Sequence, residues 1–249
     1  MLDKMCIDLA TGIDRRAFGT PETLGPVVEL EWLRSQGVKL PSLLELPRNR
    51  RTRALLRTFE AETVVAASAP RQTAAFVRTL WTHEEDDKRF YNFCSLAQEA
   101  AESAGIARAC AQQLVGAIGE LEDNIHLHSG RPSSGLLAFC AKDKTFEFIV
   151  ADKGIGVLKS LQTTNPAISD SGAALDAAVR QGVSRFASGT GHGNGFRPLF
   201  SGLYNLNSLL RFRSGDFALV MDGRMGKEKA ELFKVVDCPG FVISVFCRP

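Results

Sequence analysis

The sequence G-E-L-E-D-N-I-H-L-H-S, residues 119–129, decides how this chain is interpreted, together with two glycine motifs that follow it. The first glycine motif is D-K-G-I-G, residues 152–156, and the second is G-T-G-H-G-N-G, residues 189–195. Residues 119–129 end a segment whose apolar positions recur with the period of an α-helix. Each motif alone is weakly specific. In this order and at this spacing, the three motifs together are a strong signal.

Two side chains of the first motif are suited to phosphate chemistry. Glu120 and Asn124 are four residues apart, so on a helix they project from the same face one turn apart. An amide oxygen is the kind of hard ligand that Mg²⁺ prefers, and a carboxylate one turn away can accept a proton from water or a hydroxyl. The alternative is that these acids form a solvated helix face. His128 lies one turn beyond Asn124, whereas His126 projects from a different face and is interpreted as a surface or packing residue.

The first glycine motif follows a predicted apolar strand, residues 146–151, so Asp152 is expected at a strand end. Gly154 and Gly156 would let the backbone pass close to a ligand, where a Cβ atom would collide. The alternative is an ordinary Asp-x-Gly hairpin turn. The apolar residues that follow the motif favour the ligand site, because a tight hairpin does not require them.

The second glycine motif leads into a predicted helix that begins near Phe196. Backbone amides at a helix N-terminus attract phosphate groups. A dinucleotide-binding fingerprint would follow a strand, but this motif follows a predicted helix and a polar loop, and the Gly-Lys-Ser/Thr of a P-loop is missing from the sequence. The polar segment between the glycine motifs, residues 160–188, is expected to form a mobile lid over the nucleotide.

With these motifs, residues 90–249 resemble the GHKL ATPases, a superfamily named for gyrase, a heat-shock chaperone, histidine kinases and the MutL repair protein. The resemblance implies a Bergerat-type ATP-binding fold, an α+β two-layer sandwich with helices on one face of a mixed, mostly antiparallel sheet. It implies ATP and Mg²⁺ as cofactors, Glu120 as the catalytic residue, Asn124 as the Mg²⁺ ligand and Asp152 as the acceptor of a hydrogen bond from adenine. The ATP-binding residues that it implies are Asn124, His128, Asp152, Gly154, Gly156, Gly189, Thr190, Gly191, Gly193 and Gly195.

The compact members that the chain resembles most in shape are bacterial serine kinases that double as anti-sigma factors, and histidine-kinase-like ATPase domains. They imply a protein kinase or a weak ATPase that acts on or through an unidentified protein partner or phosphoacceptor. Two alternatives stay open: a module that senses ATP or ADP without hydrolysing it, and a subunit that phosphorylates a histidine on a separate chain. His83 and Glu84 resemble a phosphoacceptor box superficially, but the two-helix hairpin that such a box needs is not expected around them.

Residues 1–70 are predicted to form a small α/β unit that precedes the ATP-binding domain, residues 71–249. A helix over residues 27–33, a strand over 38–41 and an arginine-rich helix over 51–59 faintly resemble a STAS-type domain. Residues 66–70 have the composition of a linker.

Composition excludes several classes of protein. The net charge of +2 is too small to indicate a nucleic-acid partner. No run approaches the roughly 18 apolar residues of a membrane helix, and acidic residues interrupt the N-terminal segment where a signal peptide would be apolar. We therefore expect a cytoplasmic protein without a membrane partner, whose six cysteines are reduced. A homodimer is compatible with the sequence.

Overall fold

The structure, a computed structural model, describes residues 24–37, 65–69, 72–78, 84–181, 208–223 and 230–249. The helices in these ranges are α1 (Leu24–Ser35), α2 (Glu84–Ser103), α3 (Arg108–His128), α4 (Gly156–Gln162) and α5 (Ser171–Asp176), which a π-helical turn (Ala177–Gln181) extends. The strands are β1 (Val65–Ala69), β2 (Gln72–Arg78), β3 (Leu136–Lys142), β4 (Thr145–Asp152), β5 (Ser208–Asp222) and β6 (Ala230–Cys247).

The six strands form one sheet in the order β1-β2-β3-β4-β6-β5. Each of the five neighbouring pairs is antiparallel. The prediction of an α+β fold with a mostly antiparallel sheet is therefore confirmed. The sequence also predicts two strands, residues 136–141 and 145–151, joined by a short hairpin loop at residues 142–144. This hairpin is present: Lys142 pairs with Thr145, and Asp143 has a φ of 54° in the turn.

One face of the sheet is apolar and is covered by helices α2 to α5. Side chains alternate between the two faces along a strand, so Phe146, Phe148 and Val150 of β4 share this face. The rings of Phe139 on β3 and Phe93 on α2 meet edge to face, with their centroids 5.2 Å apart. The apolar stripe of α3 packs into the same core through Leu114, Ala117, Ile118, Leu121 and Ile125. This layer matches the predicted two-layer arrangement.

Helix α1 lies on the opposite face of the sheet. Its Glu29 contacts Arg211 and Arg213 of β5. Phe212 lies between these two arginines in the sequence and points into the apolar core on the other side of the sheet. The backbone amide of Gly25 donates to Oε1 of Glu147, 2.6 Å away, and Glu147 likewise alternates with core phenylalanines. The helix predicted over residues 27–33 is therefore present, and it covers the second face of the sheet.

Glu29 forms a buried ion-pair cluster with two arginines. Its carboxylate accepts two hydrogen bonds from Arg211, at 2.7 and 2.9 Å, and one from Nη1 of Arg213 at 2.8 Å. All three side chains are at most 2% exposed. Burial alone would raise the pKa of Glu29, but the charges and hydrogen bonds of the two arginines outweigh it and lower the pKa to about 2.

The structure corrects several boundaries. The linker predicted over residues 66–70 is wrong for residues 66–69, which belong to β1. Their small side chains do not indicate a strand, but their backbone pairs with β2. The sequence predicts four short strands near the C-terminus, at residues 207–213, 217–221, 232–236 and 241–247. The structure has two long strands instead, and the extra residues of a bulge lie in β6, where residues 234–241 face residues 214–217 of β5. The sequence predicts a helix over residues 93–104. The structure has this helix, α2, but it begins earlier, at Glu84.

The predicted boundary near residue 70 falls between two strands that pair with each other. The strand and helix predicted over residues 38–41 and 51–59, and His83, lie outside the described residues, so the STAS-like unit stays a prediction. None of the helices in the described ranges is long and apolar enough to cross a membrane. The cysteines in these ranges are free thiols, namely Cys94, Cys110, Cys140, Cys238 and Cys247.

We predict that Glu29→Gln lowers the free energy of unfolding by about 3–5 kcal/mol at pH 7, because it removes the negative charge that pairs with two buried arginines. Urea titration would measure this. The pKa of Glu29 is lowered in the folded state, so its ionisation stabilises the fold above pH 4.5 and this contribution is lost as the pH falls towards 2. The difference between variant and parent should therefore shrink over that interval. Glu99→Gln, an exposed substitution on α2, is the matched control, and equal stability of Glu29→Gln and parent would contradict the prediction.

Candidate nucleotide site

Helix α3 places the first predicted motif beside the sheet. Because Leu121 and Ile125 face the core, Glu120 is exposed and Asn124 is half-buried at the edge of the helix. The Nδ2 amide of Asn124 donates to the backbone carbonyl of Glu120 over 2.6 Å. The two side chains therefore lie one turn apart on the same side of α3, and the amide is fixed by its own helix.

The two histidines of this motif have different surroundings. His126 contacts the carboxylate of Glu122 through Nε2, one turn back along α3, and its side chain is mostly buried. This is the packing role expected for His126. His128 is the last residue of α3 and is half-buried, one turn beyond Asn124.

Asp152 ends β4, and its carboxyl group is buried at the head of the first glycine motif. Its side chain is 1% exposed, and Oδ1 accepts a hydrogen bond from the backbone amide of Gly154 at 2.5 Å. Burial raises the pKa of Asp152 to about 7, and the bond from Gly154 opposes this shift only in part. Near neutral pH this carboxyl group therefore changes easily between its charged and neutral forms.

The loop after Asp152 is attached directly to the end of α3. The backbone amide of Ile155 donates to the carbonyl oxygen of Ser129 over 2.8 Å. A Cβ atom on Gly154 would collide with that carbonyl oxygen and would lie 2.6 Å from the Cβ of Ser129. Glycine is needed at position 154 for this close approach. The structure thus brings the helix motif and the first glycine motif into contact.

Two residues that the sequence motifs did not include close the other side of Asp152. Gly240, with a φ of 74°, lies so close that a Cβ atom on it would be 2.6 Å from Oδ1 of Asp152. The Ser214 hydroxyl donates to the carbonyl of Gly240 at 2.7 Å and accepts from the amide of Val157 at 3.0 Å. Ser214 therefore connects the irregular part of β6 at Gly240 to the first turn of α4. The Pro-Gly pair at residues 239–240 was the available sequence signal, because such pairs mark turns.

Gly156 completes this loop. It has a φ of 77°, and a Cβ atom there would lie 3.0 Å from Oγ of Ser214 and 3.2 Å from the carbonyl oxygen of Gly240. A side chain at this position would be strained by the backbone conformation and by the limited space. Both glycines of the first motif are therefore required by the packing of the loop itself.

The second glycine motif, with Gly189, Thr190, Gly191, Gly193 and Gly195, lies outside the described residues, so its role stays a prediction. Part of the predicted lid, residues 160–181, is described. Helix α5 and the π-helical turn bury Ala174, Leu175 and Ala178 in the core. A Cβ atom on Gly172 would lie 3.0 Å from the ring of Phe217 on β5. Residues 171–179 thus contribute apolar side chains to the core, and the lid stays a prediction.

No cluster of three or more histidine, cysteine, aspartate or glutamate side chains suited to a metal ion occurs in the described ranges. The predicted Mg²⁺ site does not need one, since Mg²⁺ keeps several waters and is often held by one or two protein ligands together with phosphate oxygens. Asn124 fits this arrangement, because its nitrogen is bonded to the helix carbonyl and its oxygen is the atom suited to the ion.

We predict that Gly154→Ala destabilises the protein by about 1–3 kcal/mol, because the new methyl group collides with the backbone of Ser129 and displaces the loop. Gly119→Ala on α3 is the matched control. A Cβ atom there meets nothing within 4 Å, and alanine favours a helix by about 0.5–1 kcal/mol over glycine. Urea unfolding should therefore shift in opposite directions for the two variants. A stable Gly154→Ala variant would show that the loop is not held against α3.

We also predict that Asp152→Asn is stabilised relative to the parent as the pH rises. The pKa of Asp152 is raised from 3.8 to about 7 in the folded protein, so the parent loses stability as the pH rises from 3.8 through 7. Asparagine carries no charge and escapes this loss. The free energy of unfolding of the variant minus that of the parent should increase by about 2–3 kcal/mol between pH 5 and pH 8.5. A difference that is constant across this range would contradict the burial of an ionisable group at Asp152.

Comparisons with known proteins add no assignment to this geometry. No family model matches the chain, and no curated protein matches it. The resemblance to the GHKL ATPases therefore stays a prediction from the sequence motifs.

Proposed function

We propose that the chain is an ATP-binding signalling protein of the histidine-kinase-like, GHKL type, with Mg²⁺-dependent protein kinase or weak ATPase activity on or through a partner protein. The observation that carries this proposal is the contact between two motifs that are distant in sequence. The loop that begins at Asp152 is hydrogen-bonded to Ser129, at the end of the helix that carries Glu120 and Asn124. The carboxyl group that would accept a hydrogen bond from the base and the two side chains that would face the phosphates are thus carried by elements that contact each other.

Asp152 is suited to bind the base of the nucleotide. A buried carboxylate gains from any donor that replaces lost water, and Oδ1 already receives the amide of Gly154. The exocyclic amine of adenine would supply a further donor to Oδ2, whereas guanine presents a carbonyl oxygen at the corresponding position. This chemistry favours ATP over GTP.

The exposed side of α3 is suited to the phosphate end. Asn124 would supply its amide oxygen to Mg²⁺, which when bound neutralises charge on the phosphates. Glu120, one turn earlier and exposed to solvent, would accept a proton from the attacking water or hydroxyl group. His128 and the second glycine motif would contact the phosphates from the end of α3 and from residues 189–195.

The exposure of Glu120 favours a kinase or ATPase over the two alternatives. A sensor that does not hydrolyse ATP has no use for a proton acceptor at this position. A histidine phosphoacceptor is already a nucleophile and needs no base to activate it. Both alternatives therefore predict that turnover does not depend on Glu120.

The proposal is tested first by ATP binding and then by turnover. Titration calorimetry at pH 8 should detect ATP binding to the parent, and Asp152→Asn should weaken it by about 1.5–3 kcal/mol, because a charged hydrogen-bond acceptor is lost. Glu120→Ala should bind ATP as the parent does but lose turnover by about 10²–10⁴-fold. Gln113→Ala, also exposed on α3, is the matched control for both assays.

Three outcomes decide between the functions. Failure of the parent to bind ATP would contradict the proposed function. Binding with negligible turnover in both parent and Glu120→Ala would favour the ATP or ADP sensor. Turnover that is unchanged by Glu120→Ala would remove the catalytic role of this carboxylate and favour phosphorylation of a histidine on another chain.

A further inference from the structure

Helix α1 contacts the candidate site from the opposite face of the sheet. Three of its interactions are made with immediate sequence neighbours of residues that enclose Asp152. We propose that Trp32 and Gln36 are positioning residues for this site, so that the docking of α1 sets the affinity for the nucleotide. The part of this inference that concerns nucleotide affinity rests on the proposed function.

The first interaction is made by Trp32. Nζ of Lys153 lies 5.1 Å from the centroid of the Trp32 ring, a cation–π geometry, and Trp32 is almost fully buried. Lys153 follows Asp152 directly and begins the loop, and its backbone amide donates to Oγ of Ser134 at 3.0 Å. Trp32 therefore holds the side chain of the residue whose backbone leads from β4 into the first glycine motif.

The second interaction is made by Gln36, the residue that follows the last residue of α1. Its Nε2 amide donates to Sγ of Cys238 at 3.3 Å and to the carbonyl oxygen of Pro239 at 3.4 Å. These two residues precede Gly240, which packs against the carboxyl group of Asp152. Gln36 therefore holds the second of the two backbone segments that enclose this carboxyl group.

The third interaction anchors the helix. Glu29 accepts a hydrogen bond from Arg213, which directly precedes Ser214 in β5. The guanidinium of Arg213 also donates to the backbone carbonyl of Val236 in β6. The ion-pair cluster thus fixes α1 relative to both strands that carry Ser214 and Gly240. Trp32 and Gln36 then extend this docking to the two sides of Asp152.

The consequence is a connection between the N-terminal part of the chain and the nucleotide site. If a ligand, a partner or a chain segment moved α1, the contact of Trp32 with Lys153 and the hydrogen bonds of Gln36 to the residues before Gly240 would be lost together. The backbone at Gly154 and Gly240 would then no longer be held in place around the carboxyl group of Asp152. Nucleotide binding would weaken without any change in a residue that contacts the nucleotide.

The test uses the full chain with Trp32→Leu and Gln36→Ala combined. Leucine keeps an apolar side chain under the sheet but removes the aromatic ring, and alanine removes the amide donor. Amide hydrogen exchange without nucleotide should accelerate about tenfold at Gly154 and Gly240, since a cation–π contact and a weak hydrogen bond are lost. Exchange in the middle of α3, at Leu114, should stay unchanged, which separates local release from global destabilisation. Gln113→Ala, exposed on α3, is the control and should change neither.

The dissociation constant for Mg²⁺-ATP, measured on the same variants, should increase about tenfold for the double variant and stay parental for Gln113→Ala. Unchanged exchange at Gly154 and Gly240 would overturn the positioning role. Faster exchange with unchanged ATP affinity would overturn the control of affinity. If the parent itself binds no ATP, the proposed function fails, whereas faster exchange would still support the positioning of the loop by α1.

Discussion

The burial of the Asp152 carboxyl group is the constraint on which the rest of the site depends. A carboxyl group at the end of a central strand is unfavourable unless the backbone closes around it and supplies donors. Here the closure requires glycine at position 154, against the end of α3, and glycine at position 240, against the carboxyl group itself. At neutral pH this carboxyl group lowers the stability of the fold, because burial disfavours its charged form.

Local patterns in the sequence were sufficient for the local parts of this arrangement. The apolar period predicted α3, and the spacing of four residues correctly placed Glu120 and Asn124 on one side of it. The strand before Asp152 and the hairpin before that strand were likewise predicted, because their signals lie within a few residues. These elements are the ones in which periodicity and turn chemistry act without help from distant parts of the chain.

Contacts between distant segments could not be predicted. Nothing near Ser214 in the sequence indicates that its hydroxyl joins Val157 to Gly240, since the three residues lie in different elements. The alternation of Arg211 and Arg213 with apolar residues in β5 is ordinarily the pattern of a solvated strand face. The arginines are instead buried because the carboxylate of Glu29 reaches them from α1, far away in sequence.

The order of the strands has a consequence for folding. β6 is the last of the described strands in sequence, yet it lies between β4 and β5, and Phe146 pairs with Cys247. The β3–β4 hairpin is local and can form early, but the pairing of β4 with β6 closes a loop of about a hundred residues, which is slow in general. Gly240 comes to lie against Asp152 only when β6 pairs with β4. A chain in which these two strands are unpaired would carry the motifs of the site without its enclosure, so competence to bind a ligand at Asp152 depends on this long-range pairing.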